Sequence, residues 1–268
     1  MADDFLGNPA LICEGPDWLP TQRTPLILIH DGGGTTFSYH CLDPTNRPLY
    51  GIENAHLHEG GWWDGGIAEM ARHYIELIAK ALPAGGDIIL GGWSLGGILS
   101  LEMSHQLATD TSITPKFKVL GIVMIDSVFP KKYSEFPELA KNLPASRIDI
   151  SPEEVKAMKL KDKVDLNMLH ARAMIQHWEL PKWVGTPVPP TILLRAPELV
   201  DDSGKSFVDH SRHDRLLGWR PYSEAHGNFI RSVVEIQGHH FSIFQEDYLS
   251  NVTAKICAAA NSIEEGRF

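Results

Sequence analysis

The sequence predicts an α/β fold, a mostly parallel sheet covered by helices on both faces. Three observations carry that prediction. Short, almost wholly apolar runs such as Leu26–Ile29 and Val119–Ile125 suit strands buried on both faces. Segments with apolar residues at helix spacing stand between them. Strand and helix patterns alternate along most of the chain, the order that builds parallel sheets from crossover units.

Each element has its own signal. Leu26–Ile29 is a buried-strand run that ends in the cluster Gly32-Gly33-Gly34. Leu49–Ile52 is a weaker strand. Ile67, Met70, Ala71, Tyr74, Ile75, Ile78 and Leu82 recur at helix spacing, and Pro83 with Gly85-Gly86 stops that helix. Ile88–Leu90 is a strand that runs directly into Gly91-Gly92-Trp93-Ser94-Leu95-Gly96-Gly97, and a helix follows over Ile98–Ala108. Val119–Ile125 is the next strand. The pattern then changes: residues 130–185 hold no strand candidate, are rich in Lys, Glu and Met, and predict several short helices. Alternation resumes with the strands Thr191–Arg195 and Val233–Ile236 and closes on an amphipathic helix carrying Tyr248, Leu249, Val252, Ile256 and Ala259. The chain is expected to be a single domain, 1–268. The 130–185 insertion is expected to form a helical lid over the carboxyl ends of the strands, where such sheets place their sites.

Composition narrows the function. With 268 residues, 43% of them apolar and 22% charged, the chain has the make-up of an ordinary soluble globular protein. Its formal net charge of −10 repels phosphate backbones, so nucleic acid is not an expected partner. No run approaches the 18 or so apolar residues of a membrane span, and the acidic start MADDF lacks the marks of a signal peptide. The three cysteines, Cys13, Cys41 and Cys257, are far apart, which fits a reducing cytoplasm and argues against a zinc site. A monomer is the expected state, and the short lead before the first strand fits a free-standing protein as well as an excised domain.

Gly92-Trp93-Ser94-Leu95-Gly96 matches G-x-S-x-G with a strand before it and a helix after it. That context is what the motif needs: a sharp strand-to-helix turn presents the serine at its tip, and the glycines let neighbouring backbone approach. Ser94 is therefore the candidate nucleophile. The alternative of a carrier-domain serine fails because such serines sit in helical bundles, with no buried strand leading in. A serine nucleophile needs a histidine base, and in folds of this kind it follows the last strand. Gly238-His239-His240-Phe241 lies there, and spacing alone admits either histidine. His30, beside the first glycine loop, is expected to support that loop. A carboxylate must orient the base. Asp126 directly follows Val119–Ile125, whereas Asp201-Asp202 follows Thr191–Arg195, the commoner position in folds of this kind, but in a polar stretch; tight attachment to its strand favours Asp126 without excluding the other pair. The oxyanion of such a reaction needs two backbone N–H groups, one from the residue after the serine, Leu95, and one from the glycine loop Asp31–Gly34.

At this point the chain resembles the thioesterase domains that end fungal polyketide synthases and non-ribosomal peptide synthetases, and their free-standing relatives. The resemblance runs from about Pro25 to the C-terminal helix. It rests on Leu28-Ile29-His30-Asp31-Gly32-Gly33-Gly34-Thr35-Thr36, Tyr50-Gly51-Ile52, Gly91–Gly97, Leu217-Gly218-Trp219 and Gly238-His239-His240-Phe241-Ser242-Ile243-Phe244. It implies an α/β-hydrolase fold with a helical lid, and a Ser-Asp-His triad made by Ser94, Asp126 and His240. His239 stands where the family usually carries Asp. It implies Gly32 and Leu95 as the oxyanion donors. It further implies release of a polyketide or peptidyl acyl chain from the phosphopantetheine thioester of an acyl or peptidyl carrier protein, by hydrolysis or cyclisation, with no bound cofactor. Transfer of the acyl group to an alcohol or amine, and general carboxylester hydrolysis, are the alternatives. Met158, Met168, Met174 and Trp178, with Trp183, are candidates for an acyl channel in the lid, or else pack its helices onto the core.

Overall fold

The computed structural model describes residues 7–18, 22–201 and 206–268. Seven strands form one sheet: β1 (Ala10–Cys13), β2 (Leu26–Ile29), β3 (Leu49–Ile52), β4 (Gly86–Trp93), β5 (Phe117–Ile125), β6 (Thr191–Arg195) and β7 (Ile230–Glu235). Their order is β1-β3-β2-β4-β5-β6-β7, with every pair parallel except the antiparallel edge pair of β1 and β3. The expected strands are all present. β4, β5 and β7 begin a few residues earlier than the apolar runs suggest, because the ladder extends through exposed positions, Asp87 and Lys118 pairing with each other and β7 reaching Ile230 past a register shift at Arg231. β1 is an addition.

Alternation within the strands makes two cores. Ile27, Ile29, Ile88, Leu90, Ile122 and Met124 face one side; Leu26, Leu28, Ile89, Val123 and Ile125 face the other. Successive side chains point to opposite faces of a strand, so a run that is apolar throughout can only be satisfied when both faces are covered. α2 (Gly66–Ala81) and α3 (Leu95–Thr109) cover the first face, through Met70, Tyr74 and Ile78 and through Leu99 and Met103. α8 (Glu246–Glu264) covers the second with Val252, Ile256, Ala260 and Ile263, beside Tyr39 of the short α1 (Phe37–His40). Between β5 and β6 lie α4 (Pro137–Ala140), α5 (Pro152–Ala157) and the long α6 (Leu160–His177), with no strand among the described residues there. α5 starts on a capping box, Ser151 accepting from the Glu154 amide and Glu154 reaching back, with Pro152 at the first position. α7 (Arg220–Ala225) precedes β7.

Candidate active site

Three strand ends converge. β4 turns into α3 at Ser94, whose φ of 54° and ψ of −112° are strained for a residue with a side chain. Gly92 and Gly96 make the turn possible. A Cβ on Gly92 would lie 2.4 Å from the Ile29 carbonyl oxygen, and one on Gly96 2.2 Å from the same atom. The serine is also fixed from its own backbone, since the Ser94 amide donates to the Ile125 carbonyl at 2.9 Å. Tyr39 adds a clamp that the sequence does not advertise. Its hydroxyl donates to Ile29 O at 2.7 Å and accepts from the Trp93 amide at 2.8 Å, tying the end of β2 to the turn.

Asp126 leaves β5 with a φ of 46° and is completely buried. One carboxylate oxygen accepts from His240 Nδ1 at 2.8 Å. The other accepts from the Ala196 amide at 2.8 Å and from Arg212 Nη1 at 2.6 Å. Burial pushes the Asp126 carboxyl up, but the hydrogen bond and charge of His240 and then those of Arg212 outweigh it and hold the group below the ordinary carboxylate range. With Nδ1–H donating to Asp126, the neutral His240 ring carries its lone pair on Nε2. His240 is buried after β7 and lies against Trp93, ring centroids 5.5 Å apart. Of the two adjacent histidines it is therefore His240 that meets Asp126, while His239 Nδ1 accepts from the Phe241 amide. Of the alternative carboxylates, Asp202 falls outside the described residues.

Ser94 and His240 open onto one cavity of about 70 Å³ that Gly32 and Leu95 also line. Leu95 is the first residue of α3, so its N–H has no acceptor within the helix and sits at the positive end of the helix dipole. Gly32 belongs to a turn closed by Gly34 N–H to Asp31 O at 3.1 Å, and the Asp31 carboxylate accepts from the Gly33 amide at 3.0 Å. Burial pushes the Asp31 carboxyl up to about 6, against the Gly33 hydrogen bond and the charge of His240. His30 supports this loop as expected: Nε2 pairs with Tyr74 Oη at 2.6 Å and Nδ1 with Asp31 O, while burial pulls the ring down to about 4.

The channel candidates divide. Met168, on α6, lines the cavity, and its sulfur occupies the space that a Cβ on Gly32 would need. Met174 and Trp178 do not line it. They lie on a separate cleft between α2, α3 and α6, where the Trp178 indole donates to Glu102 at 2.9 Å. Met158, at the end of α5, lines neither. The cause is helical phase: residues of α6 that share a face with Met168, namely Ala171, Arg172 and Ile175, reach the cavity, and Met174 points into the core instead. The other walls come from Val128–Pro130 and from Phe207, Val208 and His210, none of which carries a sequence signal for the role. Among the described residues no group of three or more His, Cys, Asp or Glu could hold a metal ion, and no helix is long and apolar enough to cross a membrane.

The thioesterase domain model matches residues 24–259 of the chain. The protein belongs to the thioesterase family. It is 37% identical to thioesterase frbE of Dothideomycetidae sp. (strain 11243) over 269 residues, covering 97% of this chain and 98% of the relative. It is 34% identical to the probable thioesterase gloN of Glarea lozoyensis, covering 89% and 90%. Among solved structures it resembles a covalent complex of the NocB thioesterase domain with a fluorophosphonate nocardicin G analogue, at a TM-score of 0.61 and 26% identity over 88% of this chain and 94% of that one. The α/β-hydrolase architecture and the fungal thioesterase resemblance are thereby both borne out.

Proposed function

We propose that this thioesterase releases an acyl or peptidyl chain from a carrier-protein phosphopantetheine thioester through an acyl-enzyme on Ser94. The observation that carries the reading is the buried Asp126–His240 pair, opening with Ser94 at its strained turn onto one cavity. His240 Nε2 takes the proton of Ser94 Oγ, which attacks the thioester carbonyl. The Gly32 and Leu95 amides hold the oxyanion, and such donors are each worth on the order of 10²–10³ in rate. The sulfur leaves with the proton from His240, and Asp126 stabilises the imidazolium in between. Water, or a nucleophile within the acyl chain, then attacks the ester with His240 as base. Water gives the acid, and an internal nucleophile gives a ring.

The 130–185 insertion acts as a lid in this reading. α6 walls the cavity beside Ser94 through Met168, Ala171, Arg172 and Ile175, so its placement bears on which acyl chain and how much water reach the serine. Intact-mass analysis after incubation with a panel of acyl thioesters, beside Ser94→Ala, tests the proposal. An acyl adduct on the native chain, absent from the variant and clearing to acid or ring, is expected. Clearing only onto an added alcohol or amine would move the assignment to acyl transfer. Turnover of oxyesters with no adduct from any thioester would replace it with carboxylester hydrolysis.

A further inference from the structure

The cavity beside Ser94 carries two polar side chains that acyl transfer does not use. Arg172 enters from α6, with its guanidinium 5.7 Å from the centre of the Phe207 ring. Among the described residues no carboxylate lies within ion-pairing distance of it. The side chain is half-buried and has no acid beside it, in a chain with 34 Asp and Glu against 24 Lys and Arg. His210, from the segment that follows β6, lines the same cavity. Its Nδ1–H donates to the Phe207 carbonyl, which leaves Nε2 buried and without a partner. A buried polar nitrogen with no partner is destabilising in the free protein, and a bound group that reaches it removes the penalty. Phe207 lines the same cavity and neighbours both, its ring centre 5.7 Å from the Arg172 guanidinium and 5.7 Å from the His210 ring. The rest of the cavity wall is mainly apolar.

We propose that Arg172 and His210 form an anion subsite that takes a carboxylate or phosphate carried by the thioester substrate. The inference rests on the thioesterase reading of this cavity and deepens it. Guanidinium donors suit either anion, and in a poorly solvated pocket such charge-assisted hydrogen bonds are the strong ones. His210 Nε2 accepts from the protonated acid or, once protonated beside the anion, donates to it. The anion has two sources: a carboxylate on the acyl chain, or the phosphate of the pantetheine arm.

The test measures binding to the full chain carrying Ser94→Ala, so that it does not depend on turnover. Three probes are titrated calorimetrically: the suberic acid mono-thioester of N-acetylcysteamine, its methyl ester, and octanoyl phosphopantetheine. One anionic probe should bind about 10- to 100-fold more tightly than the neutral ester. The suberyl probe winning assigns the acyl carboxylate, and the phosphopantetheine probe winning assigns the arm. Arg172→Met should erase the preference, Arg172→Lys should keep part of it, and His210→Phe should weaken it several-fold. If Arg172→Met fails to fold, the lysine and phenylalanine variants decide. Equal binding of neutral and anionic probes, or a preference that survives loss of Arg172, would overturn the proposal. Turnover of octanoyl N-acetylcysteamine by the native chain, followed in parallel, reports separately on the thioesterase reading.

Discussion

Arg212 is the residue whose loss should be felt most. It is 4% exposed. It donates to Asp126 at 2.6 Å, to the Ala196 carbonyl at 2.8 Å and to the Val208 carbonyl at 3.1 Å. Arg212→Met keeps the stem but leaves Asp126 buried with one cationic partner fewer. Breaking a buried pair by removing one member costs about 3–5 kcal/mol. For a domain of this size each kcal/mol shifts the melting temperature by roughly 2–4 °C, so a fall of roughly 6–20 °C follows. Arg220→Met is the control, because its 3.3 Å pair with Asp214 is made by a side chain more than half exposed and is worth about 0–1 kcal/mol. The pH dependence has a definite sign. The folded Asp126 titrates below its unfolded value, so its contribution is present above about pH 4 and is lost as pH falls through the lower folded value. Removing Arg212 takes away part of what holds that value down. The gap in melting temperature between native and variant should therefore be widest near neutrality and narrow below about pH 4. The acid limb of kcat/KM on an N-acetylcysteamine thioester should move to higher pH. A variant that melts like Arg220→Met, with an unmoved acid limb, would show that Arg212 does not hold Asp126 as argued.

Other perturbations follow from neighbouring geometry. Asp31 is raised from 3.8 to about 6, so its neutral form suits the fold: the benefit is full below pH 3.8 and lost as pH rises through about 6. Asp31→Asn, which can still accept from the Gly33 amide, should then be more stable than the native chain at pH 8, by up to about 3 kcal/mol, and melt higher there, with no gain near pH 4. His30 has the opposite slope, lowered from 6.5 to about 4, so its contribution is present above pH 6.5 and lost on the way down; His30→Gln should flatten acid melting curves across that window. Ser94→Gly should abolish the acyl adduct and yet be more stable than Ser94→Ala by about 1–2 kcal/mol, since only glycine is unstrained at that φ and ψ; equal melting of the two variants would refute strain at the turn. Gly96→Ala should cost about 3 kcal/mol or more, because its Cβ meets strand backbone at Ile29 and His30 that cannot step aside, and a soluble variant melting as the native chain does would contradict the close approach.

How far the sequence could be read depended on how local each signal is. β4, β5 and β6 announced themselves because strands buried on both faces need unbroken apolar runs. The turn at Ser94 announced itself because a strained serine needs glycines at fixed offsets. β1 was not legible: four residues at an antiparallel edge, one face partly exposed, carry neither an apolar run nor a clean alternation. Arg212 was not legible either. It reaches Asp126 across 86 positions from a turn-rich stretch with no periodicity, and nothing near His213 or Ser211 marks it as buried. The acyl-channel candidates divide for a related reason. Residue type alone picked methionines and tryptophans, but helical phase decides which of them face the cavity. That phase gave Met168 and Arg172 to the cavity and Met174 to the core.

The same distinction separates the chemistry from the choice of substrate. Ser94 and Asp126 are both held by hydrogen bonds that continue the sheet beyond its strands, Ser94 N–H to Ile125 O and Asp126 N–H to Leu194 O at 2.7 Å. Their positions are a property of the β4, β5 and β6 register, and His240 is positioned in turn by Asp126. The cavity that Ser94 and His240 face is walled by α6 and by the Phe207–His210 segment, neither of which pairs with the sheet. Substitutions at Met168, Arg172 or Phe207 should therefore alter which thioester is accepted while a minimal one, acetyl N-acetylcysteamine, still acylates Ser94 at close to the native rate. Substitutions at Gly92, Gly96 or Arg212 should depress acylation by every thioester alike. If Met168→Ala slowed the acetyl thioester as much as the long-chain ones, the wall and the reacting groups would be coupled, and the lid would have to be counted as part of the catalytic apparatus.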